Sequence, residues 1–166
     1  MSISEAVERA TTYLTAHPEE ARYRDSAARA HLSSGLVVDV TGPTGESLRT
    51  DMPTGIGGTA TAPSPGWFLR AAEASCVAAL VAIRAASLGI ELESVDVEVD
   101  SESDDRGILG FEDDVPAGAL AVKVVVSIEA PEANRGTVDA IASWALDHCP
   151  VMDTVRRAVP IELEVR

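Results

Sequence analysis

From Glu91 to Ser101 the chain alternates without a break: Val95, Val97 and Val99 take one face, and Asp96, Glu98 and Asp100 take the other. The same period of two returns from Ala119 to Glu129, where Leu120, Val122, Val124, Val126 and Ile128 share a face. It returns again at the C-terminus through Val159, Ile161, Leu163 and Val165. A side-chain period of two belongs to strands, and a strand with one apolar and one charged face belongs to an antiparallel sheet with one side wet. These segments exclude an all-helical fold.

Further strands precede them. Ala28 to Leu32 is one, and Leu36 to Thr41 is another, with Leu36, Val38 and Val40 on one face. Gly42-Pro43-Thr44-Gly45 makes a turn and Glu46 to Asp51 returns. Thr54 to Ser64 is rich in Gly, Thr, Ala and Pro and reads as a loop, placed to form a pocket wall. Helical segments are interleaved. Ser2 to Ala16 is a helix capped by Ser2 or Ser4 and ended by His17-Pro18. Ser64 to Leu88 is the longest, with Ser64 as N-cap, Pro65 in the first turn and Gly89 at its end. Apolar residues cover nearly every face of it from Trp67 to Ala86, which predicts burial on most sides. Gly136 to Asp147 and Pro150 to Arg157 complete the set. Strand runs followed by helices define an α+β protein with helices packed on one sheet face. The expected organisation is an N-terminal helical appendage over residues 1–18 and one domain over 19–166.

The chain has 166 residues, enough for one domain with its own core. Its net charge of −14 opposes binding to phosphate backbones and anionic membranes, so neither nucleic acid nor membrane is an expected partner. The most apolar stretch, Trp67 to Leu88, carries Arg70, Glu73 and Arg84, and the N-terminus has Glu5, Glu8 and Arg9 where a secretory leader would be basic and then apolar. The expected location is cytoplasmic. Two cysteines in such a compartment point to redox or catalytic chemistry more than to a structural disulfide.

Those cysteines stand in distinctive contexts. Cys76 follows Pro63-Ser64-Pro65-Gly66-Trp67-Phe68-Leu69 in the long helix, and Cys149 lies in His148-Cys149-Pro150-Val151-Met152-Asp153-Thr154. They are 73 positions apart, so only a fold could bring them together. The two contexts together resemble the OsmC/Ohr family of thiol-dependent peroxidases, from about Ala27 to the C-terminus. In that family an N-P-x-x-L-type helix start leads to an attacking cysteine, and a later H-C-P segment carries a resolving one. The resemblance extends to Asp104-Asp105-Arg106-Gly107 and to Arg156-Arg157-Ala158-Val159-Pro160-Ile161. It implies an OsmC-like fold in which a long central helix is buried against an antiparallel sheet and in the interface of an obligate homodimer. It also implies reduction of organic hydroperoxides, with Cys76 attacking, Cys149 resolving and an external thiol as reductant.

The family activates its attacking thiol with an arginine held by an acid just after the helix-start proline. Here that position is Gly66, which can hold nothing. Arg49 and Arg29 are the candidate cations, with Arg49 preferred because Leu48-Arg49-Thr50-Asp51 leads into the pocket loop. Glu73, three residues before Cys76 and on the same helical face, is a candidate replacement for the missing acid, or simply the partner of Arg70 in a surface pair. Helix position favours a thiolate at Cys149, which precedes Pro150 at a helix start, over Cys76 in mid-helix. The rival to a peroxidase is a non-catalytic or ligand-binding OsmC-like module without an activated thiolate. No cofactor and no metal are expected, since three histidines and two cysteines occur without metal-ligand spacing. Trp67, Phe68, Met52 and Ile56 are candidate walls of an apolar substrate pocket.

Overall fold

A computed structural model describes all residues from Met1 to Arg166. The chain divides into two units, one made of residues 10–69 and one of residues 1–9 with 70–166. Two helices run across the division: α1 (Ile3–Ala16) and the longer α2 (Pro65–Ser87). At the start of α1 Ser2 and Glu5 exchange hydrogen bonds between side chain and backbone, at 2.7 and 3.2 Å, which satisfies two amides that the first turn would leave open.

The 10–69 unit holds an antiparallel meander of β1 (Arg29–Ser34), β2 (Val37–Thr41) and β3 (Ser47–Thr50). Gly35, in the left-handed region, turns β1 into β2. After β3 a single carboxylate organises the chain. Asp51 accepts hydrogen bonds from the amides of Met52, Thr59 and Thr61 and from the hydroxyls of Thr59 and Thr61, at 2.6 to 3.1 Å. Gly58 is required within this loop, since a Cβ there would lie 1.8 Å from the Met52 carbonyl oxygen. The stretch from Thr54 to Ser64, whose side chains are small apart from Ile56, is thus held in shape by Asp51.

In the other unit, β4 (Ser94–Glu102) pairs antiparallel with β5 (Ala121–Glu129), from Ser94 opposite Glu129 to Glu102 opposite Ala121. The connection carries the short helix α3 (Asp105–Leu109), where Asp104 caps the Arg106 amide and Arg106 also reaches Glu112 at 3.0 Å. Helices α4 (Arg135–His148) and α5 (Pro150–Arg156) follow, with Asn134 capping α4 through the Thr137 amide. The core is formed by Val77, Val81 and Ala85 of α2, Ile141 and Ala145 of α4, Cys149, and Met152 of α5. Val95, Val97, Val124, Val126 and Ile128 of the ribbon pack against it, so the alternation read from the sequence does aim these residues inward. Arg70 ties α2 to β4 by donating to the Ser101 hydroxyl at 3.1 Å.

Four expectations are corrected. The strands form two separate sheets, not one. Strand β4 begins at Ser94 and ends at Glu102, later at its start than the alternation from Glu91 to Ser101. Helix α2 buries one stripe, Glu73, Val77, Val81 and Ala85, and leaves its other faces partly or wholly open within the chain. It is long and apolar enough by composition to cross a membrane, with a mean hydropathy of 1.5 over its best window, yet its buried stripe serves this core. Finally, residues 158–166 form no strand. Their alternating Ile161, Leu163 and Val165 are 92%, 84% and 85% exposed, because a strand needs a partner edge and the chain brings none to them.

Candidate active site

Cys76 sits in mid-helix on α2, half-buried, and Cys149 is the single residue between α4 and α5, fully buried. The Cys149 thiol lies close enough to Cys76 to raise its pKa, and both cysteines are free. The start of α5 serves the two sulfurs together. Cys149 is the N-cap, its Sγ accepting from the Met152 amide at 3.4 Å, and the Val151 amide lies close enough to Cys76 to favour its thiolate. The sequence alone placed Cys149 at this helix start; only the fold brings Cys76 to it as well. An amide aimed at a sulfur favours its anionic form. At Cys76 this effect is outweighed. Burial, and next the neighbouring Cys149 thiol, push its thiol above the ordinary value, while the Val151 amide pulls it down. Activating Cys76 therefore takes a further positive charge.

Two arginines were candidates for that charge. Arg49, on β3, stands opposite Asp39 of β2 and donates to its carboxylate at 2.7 Å. Asp39 also accepts from the Ser33 hydroxyl, and these contacts, with Arg49 the larger, hold its carboxyl below the usual range. An arginine with an oriented guanidinium is therefore present, and the orienting acid is Asp39, a residue the sequence reading did not single out. Arg29, on β1, is exposed and opposite Thr41, in no ion pair. Only the pairing register of β2 with β3 identifies Asp39, and no local motif announces it.

Glu73 is neither the surface partner of Arg70 nor paired with any arginine. It is 1% exposed, both its carboxyl oxygens lack a hydrogen-bond partner, and Arg70 is directed to Ser101 instead. Burial pushes its pKa up, opposed only in part by the charge of Arg70.

Around Cys149, His148 stacks on Trp144 with ring centres 4.2 Å apart and meets the Trp144 carbonyl oxygen at 2.8 Å, while the Arg84 guanidinium lies 5.1 Å from the centre of the same indole. These contacts lock the C-terminal turn of α4 that presents Cys149. Of the predicted pocket walls, Trp67 and Phe68 meet edge to face at 5.2 Å. A concavity of about 270 Å³ lies in the meander, lined by Ala27, Val40, Pro43 and Leu48 among others; neither cysteine lines it, so it is not the site of thiol chemistry. His17, Glu19 and Glu20 cluster at the surface without any buried group to recommend them as a metal site.

A pair of neighbouring free thiols, one half-buried and one buried, at a helix start on a two-sheet α+β scaffold defines a dithiol protein. The OsmC-like protein family matches residues 58–164, a span that includes both cysteines, and the chain belongs to that family. Among solved structures it is similar to an OsmC-like protein from Mycoplasma pneumoniae, with a TM-score of 0.69 at 15% identity over 82% of this chain and 91% of that one. It is similar to an organic hydroperoxide resistance protein OsmC from Legionella pneumophila, with a TM-score of 0.61 at 21% identity over 81% and 91%. The organic hydroperoxide resistance protein OhrB of Bacillus subtilis gives a TM-score of 0.54 at 18% identity over 86% and 98%. At these identities the likeness is one of fold. No curated protein matches the chain.

Proposed function

We propose that this chain is a thiol-dependent peroxidase that reduces organic hydroperoxides. The observation that carries the reading is the meeting of Cys76 and Cys149, 73 residues apart in sequence, as neighbouring thiols at one edge of the core. The Cys76 thiolate attacks the distal oxygen of the hydroperoxide, the O–O bond breaks, and sulfur becomes a sulfenic acid while the alcohol leaves. The Cys149 sulfur then attacks the Cys76 sulfur, water departs, and a disulfide forms. An external dithiol reduces it by exchange. Arg49, whose guanidinium Asp39 orients, is the cation assigned by this proposal to favour the Cys76 thiolate.

The functional form is a homodimer. The apolar faces that α2 leaves open, and a C-terminal tail patterned as a strand but unpaired, are the surfaces a second copy would cover. Apolar walls from Trp67, Phe68, Met52 and Ile56 favour alkyl over hydrogen peroxide, since hydrocarbon burial stabilises binding. A cytoplasmic location fits two cysteines that must return to the thiol state.

The raised pKa of Cys76 and the glycine at position 66 also support a second reading, a ligand-binding module whose thiols are not catalytic. One experiment separates the two. Under the peroxidase reading, Cys76→Ser abolishes reaction with cumene hydroperoxide. Cys149→Ser allows one turnover and leaves a Cys76 sulfenic acid that dimedone traps. Wild type gives an intramolecular Cys76–Cys149 disulfide by mass spectrometry after one equivalent of oxidant. Unchanged thiols throughout would establish the binding module. A sulfenic acid on Cys149 with Cys76 still reduced would reverse the two roles.

A further inference from the structure

We propose that Glu73 is the general acid of this reaction: its buried, unpartnered carboxyl group, one helical turn before Cys76, protonates the oxygen that leaves when the O–O bond breaks. This inference rests on the peroxidase reading above.

Glu73 opens the stripe of α2 that continues with Val77, Val81 and Ala85, all apolar and all fully buried. An apolar side chain at position 73 would complete that stripe. A carboxyl group there, with neither oxygen hydrogen-bonded, costs stability whatever its charge, and far more when it is ionised. It therefore keeps its proton more readily than a surface glutamate, because burial outweighs the one opposing charge, that of Arg70. A group so placed at a stability cost, with no structural partner, is one that meets its partner only in the reacting state.

The spacing suits the leaving oxygen. Residues three apart on a helix have Cβ atoms about 5–6 Å apart. That separation is too long for a direct bond between neighbouring short groups. It is close to what is needed when a peroxide is inserted, with its distal oxygen at the sulfur and its proximal oxygen one bond further on. In the step itself the Cys76 thiolate forms the S–O bond and the O–O bonding pair moves to the alkoxide oxygen. The Glu73 O–H proton moves to that oxygen, giving an alcohol, a Cys76 sulfenic acid and a Glu73 carboxylate. The carboxylate takes a proton back from water before the next turnover.

The test compares two oxidants that differ in need of a proton. An alkoxide leaving group must be protonated, whereas acetate, leaving from peracetic acid, need not be. Glu73→Gln should slow oxidation of Cys76 by tert-butyl hydroperoxide about 100-fold, the lower end of what general acid catalysis contributes, and change the peracetic acid rate by less than about threefold. The retained peracid rate also shows that the variant's site is folded. If the variant does not fold, wild type alone decides. Its rates with a series of alkyl hydroperoxides should depend only weakly on the acidity of the departing alcohol, and a steep dependence would overturn the role. Equal slowing of both oxidants, or no slowing of either, would overturn the role of Glu73 and leave the peroxidase standing. Wild type inert to both oxidants at Cys76 would overturn the peroxidase reading, and this role with it.

Discussion

Arg49 and Asp39 stand directly opposite each other across β2 and β3, and their side chains meet at 2.7 Å. Under the proposed function, this strand register takes the place of the acid that Gly66 does not supply after the helix-start proline. Arg49→Ala should slow the reaction of Cys76 with hydroperoxide by about 10- to 1000-fold, the range expected for loss of one charged contact in a reacting site. Asp39→Asn keeps the cation but loosens its aim, and should cost about tenfold. Arg29→Ala should leave the rate nearly unchanged. Stopped-flow rates for the three variants check the order, and a larger effect at Arg29 than at Arg49 would move the role to β1.

Asp51 should behave as the keystone of its loop. Asp51→Asn replaces an acceptor of several hydrogen bonds with a group that can match only part of them, so Tm should fall and a protease should cut between Thr54 and Pro63. The pH dependence has a definite sign. Hydrogen bonds from Thr59 and Thr61 hold the carboxyl well below the usual range, so its contribution is complete above the unfolded carboxylate pKa, about 4, and is lost as pH falls toward the folded value. The difference in Tm between wild type and variant should narrow steadily on acidification below about pH 4. A difference that stays constant would mean that Asp51 acts through shape alone.

Ile141, fully buried where α4 meets the stripe of α2, should be the most sensitive aliphatic position in the core. Ile141→Ala should cost about 2–5 kcal/mol and Ile141→Val about 0.5–1.5 kcal/mol. Urea unfolding with an unchanged m-value measures both.

Sedimentation at micromolar concentration should give about twice the 17.3 kDa mass of the chain. Removing residues 159–166 takes away only exposed side chains and should leave the core unfolding transition in place while weakening the dimer. A folded monomer for the full-length chain would refute the dimer.

The elements themselves were legible because each is announced locally. Ser64 and Pro65 start α2, Gly89 stops it, and the valine alternation of β4 continues in the structure as half-buried and exposed positions. The thiol pair was legible through its two motifs. What the sequence could not show is settled by register or by crowding. Asp39 becomes important only when β2 pairs with β3 in one alignment, Glu73 only when the surface expected around it proves to be closed, and Asp51 only when a loop eight to ten residues further on folds back to it. The C-terminal alternation misled for the opposite reason: the pattern of a strand is local, but the edge it needs is not.

The neighbouring thiols also tie redox state to resistance against unfolding. A covalent bond between Cys76 and Cys149 would close a ring of the chain that contains the ribbon of β4 and β5 and all of α4. The chain-entropy relation for a ring of that size gives about 4 kcal/mol in favour of the oxidised protein. A molecule waiting for its reductant would then be the sturdier of the two forms, and a simple melting curve would report how much of a population has spent its thiols.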